Sequence, residues 1–533
     1  MKTIFTIACF LTVFVGTAQW TTDTALNTLV AESGELDMQA RGTSDGQTYV
    51  VFWKNVGAPT NIELRMQVMD ADGNRKFGDD GMLVSNQLPM STFTVIMNTV
   101  VDADDNLYIG VTGTDDFSAY AFKMDSNGNQ LWGANGISLG TGVPVTILPL
   151  SSGDAIVSWH DSGAAVMQKY DSSGNAVWPG TKTIGSGNTT AANLFELSNT
   201  DFEVVYHSIL SGISSNLFAQ RYDTDGDPVW SNAVQIADGT TAFNRAYTGV
   251  QDGDVVYMGY FSSTGNRFDS YLQRINPNGT LPWGINGSDF DTNQTEYEMD
   301  TEIAFQSGSQ YVWAIATYRN ATQSERGEYV QKFDKDSGAR ELTDHAKVVF
   351  PIGNDKSHEG SLQLRNGNPL FLMEEGENNG VSPTTLNAVH LDENGDFAWS
   401  EETRPVATFA ADKSRINFTK EANMQNVAVF IEDKGTGLKI YAQNVVDDTA
   451  GIEEFSDVNL FFANPVKREI NLKANVPIEE IAINNVLGQQ VFSSNYKGET
   501  TININTESWK SGVYFMNVST NEGFKKGIKL VKQ

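Results

Sequence analysis

One eleven-residue phrase recurs along this chain and limits its fold more than any other feature. It reads Phe122-Lys-Met-Asp-Ser-Asn-Gly-Asn-Gln-Leu-Trp132, Gln168-Lys-Tyr-Asp-Ser-Ser-Gly-Asn-Ala-Val-Trp178, Gln220-Arg-Tyr-Asp-Thr-Asp-Gly-Asp-Pro-Val-Trp230 and Gln273-Arg-Ile-Asn-Pro-Asn-Gly-Thr-Leu-Pro-Trp283. A shorter copy ends at Trp399, worn copies follow Asp70 and Asp334, and Ile440-Tyr-Ala-Gln-Asn-Val445 begins the phrase and stops. The equivalent positions Asp70, Asp125, Asp171, Asp223, Asn276, Asp334, Asp392 and Val446 fall 46 to 58 residues apart. A unit of this size cannot bury its apolar faces alone, so neighbouring copies must stack.

Each unit holds four short β-type runs between Gly or Asp turns, as in Val145–Leu148, Ala155–Trp159, Ala165–Tyr170 and Ala176–Trp178. Four antiparallel strands per unit predict a propeller blade. The eighth unit lacks its last strand, and Gln19-Trp20 through Val30 matches Val229-Trp230 through Ile236. The expected fold is therefore all-β: an eight-bladed β-propeller over residues 19–446, closed by the mature N-terminal strand. Within the phrase the acid caps a tight turn, glycine takes positive φ and the indole wedges between blades. The phrase resembles the tryptophan-docking motif of eight-bladed quinoproteins, a likeness that implies the blade count. It does not imply their activity, because no quinone ligand set is recognisable.

The two ends of the chain concern delivery. Residues 1–18 combine a basic start, the apolar run Ile4–Val15 and small residues before a cut, which predicts a secretory signal peptide. Cys9, the only cysteine, falls inside it, so the mature chain is expected to hold no disulfide, thiolate metal site or cysteine nucleophile. No later stretch is long and apolar enough for a membrane span. Residues 19–456 carry 26 basic against 59 acidic residues, net −33, whereas residues 457–533 carry 9 against 7. The change in charge marks a separate module over 457–533, joined by an acidic linker at 447–456. Alternation such as Glu480-Ile-Ala-Ile-Asn484 predicts a small β-sandwich there, the size of a seven-strand unit.

Phe461-Phe-Ala-Asn-Pro465, Asn485-Val-Leu-Gly-Gln-Gln-Val491, Ser511-Gly-Val-Tyr514 and Lys525-Lys-Gly-Ile-Lys-Leu-Val-Lys532 resemble the type A C-terminal sorting domain of the type IX secretion system. The resemblance implies export through the periplasm to the cell surface or medium, with that machinery as partner. It also implies Asn464, Pro465, Gly488, Gly512, Tyr514, Lys529 and Lys532 as sorting-signal residues. Phe462-Ala463 departs from the family's usual residue and proline before Asn-Pro.

The acidic charge repels nucleic acid and anionic lipid, so neither is an expected partner. The chain has no His-Glu-x-x-His, Walker loop or Gly-x-Gly-x-x-Gly, which removes zincin and nucleotide chemistry. No metal site or cofactor is expected; calcium is the one cation that the acid-dense turns at Asp70 and Asp223 would suit. Their glycine comes fourth where an EF-hand needs it sixth.

Propeller ligands sit at a channel mouth, and the ends of the second strands supply candidates: Trp53, Trp159, His160, Tyr206, His207, Tyr260, Tyr318, Arg319 and Glu374. Aromatic faces beside hydrogen-bonding groups suit sugar rings. The reading is a secreted or cell-surface binding module for a glycan or a protein, favoured over an enzyme. The alternative is a polysaccharide lyase or glycosidase. A lyase would use His160, His207 or Tyr206 as base and Arg319 as counter-charge. A glycosidase needs two facing carboxylates, and Glu374 and Glu375, adjacent on a strand, point opposite ways.

Overall fold

The computed structural model describes residues 20–533 apart from 35, 58–60, 89–95, 246, 266, 354–355, 377–380, 447–459, 463, 486–488 and 521–524. The predicted signal peptide and linker thus lie outside the described residues. Every regular element described is a strand, and the chain divides into two compact units, residues 1–445 and 446–533.

The first unit contains, among the described residues, eight antiparallel sheets with a four-stranded path in each. Sheet one runs from Met38–Gly42 to Met82–Ser85, sheet two from Ile96–Val101 to Ile137–Thr141, sheet three from Val145–Pro149 to Lys182–Ile184, and sheet four from Thr189–Glu196 to Val234–Gln235. Sheet five runs from Thr248–Asp252 to Ser288–Asp289, sheet six from Tyr297–Phe305 to Lys347–Phe350, and sheet seven from Ser357–Arg365 to Arg404–Ala407. Sheet eight joins the two ends of the unit, pairing Thr28–Ala31 with Leu438–Val445 beside Asn426–Asp433 and Lys413–Phe418. The first strand of each sheet packs on the first strand of the next, and that of sheet eight packs on that of sheet one.

The recurring phrase supplies the joints between sheets. Trp178 Nε1 donates to the Thr224 carbonyl at 3.1 Å, Trp230 Nε1 to that of Pro277 at 3.0 Å, and Trp283 Nε1 to that of Asp336 at 3.0 Å. In each case the indole of one sheet docks in the glycine turn of the following one, Asp223–Gly226, Asn276–Gly279 and Asp334–Gly338 in order. Trp20 does the same from the N-terminal segment, donating to Ala71 of sheet one at 3.0 Å. The turn acids are occupied by their own loops: Asp223 Oδ1 accepts the amides of Asp225 and Asp227, and Asp171 Oδ1 those of Ser173 and Asn175. The core follows the joints, with Val30, Ala31, Met38, Phe52, Val429 and Ile440 in one cluster between sheets eight and one.

Among the described residues, the second unit is a five-stranded antiparallel sheet. Its strand count is below that of a seven-strand unit because Glu469–Asn485 and Gln490–Asn505 are 17 and 16 residues long and bend across register breaks. Ile470, Leu472, Ile481, Ile483, Ile502 and Met516 form its core.

The docked indole makes a specific demand on the turn glycine. Gly226 has φ +76°, and a Cβ there would lie 2.8 Å from Trp178 Cη2. Gly212 has φ +57° with open space around it. Gly212→Ala should therefore lose about 1 kcal/mol from backbone strain alone. Gly226→Ala should lose about 3 kcal/mol, because the indole must also move. Urea-unfolding midpoints of the two variants check the difference.

Candidate functional site

Second strands lie in the middle of their sheets, with a neighbouring sheet against each face, and this decides the fate of the sequence candidates. Trp53, Trp159, Tyr206, Tyr260 and Tyr318 are buried, none more than 5% exposed. Tyr260 donates its hydroxyl to the Asn286 carbonyl at 2.9 Å, and Tyr318 stacks on Tyr329 with ring centroids 3.8 Å apart. The expected aromatic platform is thereby corrected: these rings are packed between sheets and present no face to a ligand. His207 is buried as well, with Nδ1 2.9 Å from Ser215 Oγ, and burial pushes its pKa down to about 4. It is a neutral packing histidine.

His160, Arg319 and Glu374 keep partial solvent access. His160 borders a recess of about 460 Å³ with Phe117, Val143 and Ser162, between sheets two and three. Arg319 Nη2 lies 3.7 Å from Asp300 Oδ2, which Arg245 also approaches at 3.9 Å. Glu374 shares one face of sheet seven with Glu359, since Ser357 pairs with Glu374 and Glu359 with Leu372. Burial and the charge of Glu374 push Glu359 up to about 7, and burial raises Glu374 too.

Two charge clusters were not read from the sequence: Asp289, Asp291 and Glu298 are near one another in the chain but straddle the join of sheets five and six, and Glu328 and His358 belong to sheets six and seven. Asp289, Asp291 and Glu298 bring carboxylate oxygens within 4.8 Å of one another, near enough to share one hard cation. Protein groups already engage them: Tyr318 donates to Asp291 Oδ2 at 2.7 Å, the Ser270 amide to Glu298 Oε2 at 3.1 Å, and Arg267 to Glu298 Oε1 at 3.1 Å. Burial, then the charge of Asp291, holds Glu298 well above the ordinary carboxylate range, and Asp289 is pushed up to about 6. Between sheets six and seven, His358 Nδ1 lies 2.9 Å from Glu328 Oε1. Burial would lower this imidazole, but the Glu328 carboxylate overrides it and holds it up at about 9.

The larger cavity, about 730 Å³, lies at the other end of the first strands. It is bounded by Thr248 and Val250 of sheet five, Ile303–Ser307 of sheet six, Ser361–Leu364 and Asn366 of sheet seven, and Lys420 and Glu421 after the first strand of sheet eight. Phe305 pairs with Val312 at the start of its second strand, whereas Tyr318 and Arg319 at its end pair with Glu298 and Tyr297. The cavity therefore opens away from the second-strand ends that the sequence pointed to.

In the second unit Asn464 ties down the last strand: its Nδ2 donates to the Lys529 carbonyl at 2.8 Å and its Oδ1 accepts the Val531 amide at 2.9 Å. Pro465 is exposed, Gly512 pairs with Lys532, and Tyr514 donates to the Lys510 carbonyl at 2.8 Å. Gly488 lies outside the described residues.

Residues 461–533 match the family described as the secretion system C-terminal sorting domain. That tail marks proteins carried by the type IX secretion system, so this protein is exported to the cell surface or secreted, with that machinery as its partner. No helix among the described residues is long and apolar enough to cross a membrane. No curated protein matches the chain. Among solved structures, puromycin hydrolase is similar at 11% identity and TM-score 0.38, covering 78% of this chain and 61% of its own. The chain thus spans about three fifths of that enzyme's length. The β-propeller domain of the Trilobed protease from Pyrococcus furiosus matches at 7% identity and TM-score 0.39, over 72% of this chain and 97% of its own. An α-L-arabinanase from Penicillium chrysogenum complexed with arabinobiose matches at 12% identity and TM-score 0.32, over 56% and 92%.

Glu298 provides a test of the buried acids. Its folded pKa is raised, so the native state holds a proton that the unfolded chain releases above about pH 4.3. Stability from this group is full below that pH and falls as pH rises, by at most about 1.4 kcal/mol per unit. Glu298→Gln should flatten the fall between pH 5 and 8, read from urea unfolding at each pH.

Proposed function

We propose that residues 19–446 form an eight-bladed β-propeller closed by the N-terminal strand, and that the exported protein is a binding module for a glycan. Eight sheets with contacting first strands, the pairing of Thr28–Ala31 into the last sheet and the docking of Trp20 on sheet one support the closed ring. The cavity of about 730 Å³ carries the binding reading. Its volume falls within the roughly 300–1,000 Å³ of small-ligand sites. Amides from Gln306, Gln363 and Asn366, hydroxyls from Thr248, Ser307 and Ser361, and the apolar surface of Ile303, Phe305 and Leu362 match the mixed surface of a sugar. No cofactor is needed for such a role.

One observation favours the enzymatic alternative. Glu359 and Glu374 are two carboxylates on one sheet face, and Glu359 is held at about 7. Two carboxylates on one face, one of them held up near 7, are the kind of pair that glycoside hydrolysis uses.

Both readings are tested on the purified full chain by a glycan array followed by calorimetry, with a reducing-end assay on the polysaccharides that bind. Saturable binding without cleavage is expected. Gln306→Ala and Lys420→Ala should each weaken it about tenfold, the loss of roughly one hydrogen bond to a charged or polar partner. Cleavage abolished by Glu359→Gln would move the protein to the enzyme class.

A further inference from the structure

The recess between sheets two and three is built as a ligand site in its own right. Phe117 stands at the tip of the hairpin joining Leu107–Thr112 to Ser118–Met124 and is 57% exposed. It is held at φ +59°, a left-handed conformation that a bulky residue rarely takes. Strain and an exposed aromatic ring are each unfavourable, and their coincidence at one residue marks a functional constraint.

The surroundings hold the backbone of this turn in place. The Phe117 carbonyl accepts the Gly142 amide at 2.7 Å, and the Gly142 carbonyl accepts Thr112 Oγ1 at 2.8 Å. Gly142 has no room to shift, since a Cβ there would lie 2.1 Å from the His160 carbonyl oxygen. Three segments from two sheets therefore lock one another, and the recess is preorganised.

Its polar groups have one chemical character. His160 Nε2 lies 3.1 Å from Asn188 Oδ1, and a ring that donates there through Nε2 leaves Nδ1 as an acceptor. Asp116 gives one oxygen to the Ser118 amide and keeps the other. Ser162 donates to Asp161 at 2.8 Å, which leaves its oxygen as an acceptor. An aromatic face with acceptors around it suits a ligand with a C–H face and hydroxyl donors, and acidic neighbours repel anions.

We propose that this recess is a second saccharide subsite, selective for neutral sugar units, with Phe117 stacking on the ring and His160, Asp116 and Ser162 accepting hydroxyl hydrogens. The proposal rests on the glycan-binding reading but uses none of the residues of the larger cavity.

The test titrates neutral oligosaccharides (xylo-, manno- and cello-series) and oligogalacturonate into the full chain and into Phe117→Gly, Phe117→Trp and Gln306→Ala. Phe117→Gly relieves the strained φ, so it should melt at the same or a higher temperature while binding the neutral ligand at least tenfold more weakly. Phe117→Trp should retain affinity and report binding by its fluorescence, and oligogalacturonate should not bind. Unchanged affinity in Phe117→Gly, with Gln306→Ala still weakened, overturns the subsite and leaves the cavity reading standing. Preference for oligogalacturonate also overturns it. If the wild-type chain binds no saccharide, the glycan reading falls and the subsite with it.

Discussion

The docking of an indole into the turn of the next sheet is the interaction on which the first unit depends. The acid-led glycine turns are shaped internally, the acid accepting the turn's own amides, as Asp334 does so strongly that its pKa falls to about 2. That shape leaves a carbonyl facing outward and a glycine with no side chain, and the preceding sheet's tryptophan covers both. A single sheet therefore presents an unfilled turn at one side and an uncovered indole at the other. Stability comes from the joints, as in other repeat architectures. Trp20 extends this scheme to the N-terminal segment, which explains why a residue so near the start of the described chain is tied to Ala71 and clustered with the core of sheets eight and one.

The same stacking limits what the sequence could disclose about a site. Repeat, strand number per sheet and the match between Trp20 and Trp230 were legible because each arises from local pattern. The second-strand aromatics were legible as strand ends but not as buried, because their burial depends on the sheet next door. Tyr206 shows this: its ring occupies the space that a Cβ on Gly185 would need, at 2.5 Å. Phe117 left a weaker signal, an aromatic directly after Thr114-Asp115-Asp116 where a polar turn residue is normal.

Charge acts at two scales. The acidic excess sets a long-range field that discourages polyanionic ligands. Within the first unit, cations near the second-strand ends are committed to acids, Arg319 and Arg245 to Asp300 and Lys413 to Glu432 at 2.7 Å. Of the buried acids that remain, Glu298 favours its protonated form, and Glu359 is held up at about 7. Both scales disfavour a polyanionic ligand such as a uronate, which weakens the proposed lyase alternative more than the glycosidase one.

The larger cavity stayed hidden for a geometric reason. The first strands of sheets six, seven and eight each break register, between Met299 and Glu302, Glu359 and Gln363, and Ser414 and Asn417. At those breaks Asp300, Gly360 and Arg415 take positive φ of 53°, 70° and 53°. In sheets six and eight the break adds one residue, which shifts the alternation of the faces, so a period of two read straight through the strand assigns the downstream side chains to the wrong side; sheet seven adds two and keeps its alternation. In sheet six, Met299 lies before the break and Ile303, Ala304 and Phe305 after it, and only the latter three line the cavity. In sheet six the bulge thus separates two environments along one strand, a charged end with Glu298 and an apolar cavity end with Ile303, Ala304 and Phe305. A chain that kept strict alternation there could not offer both.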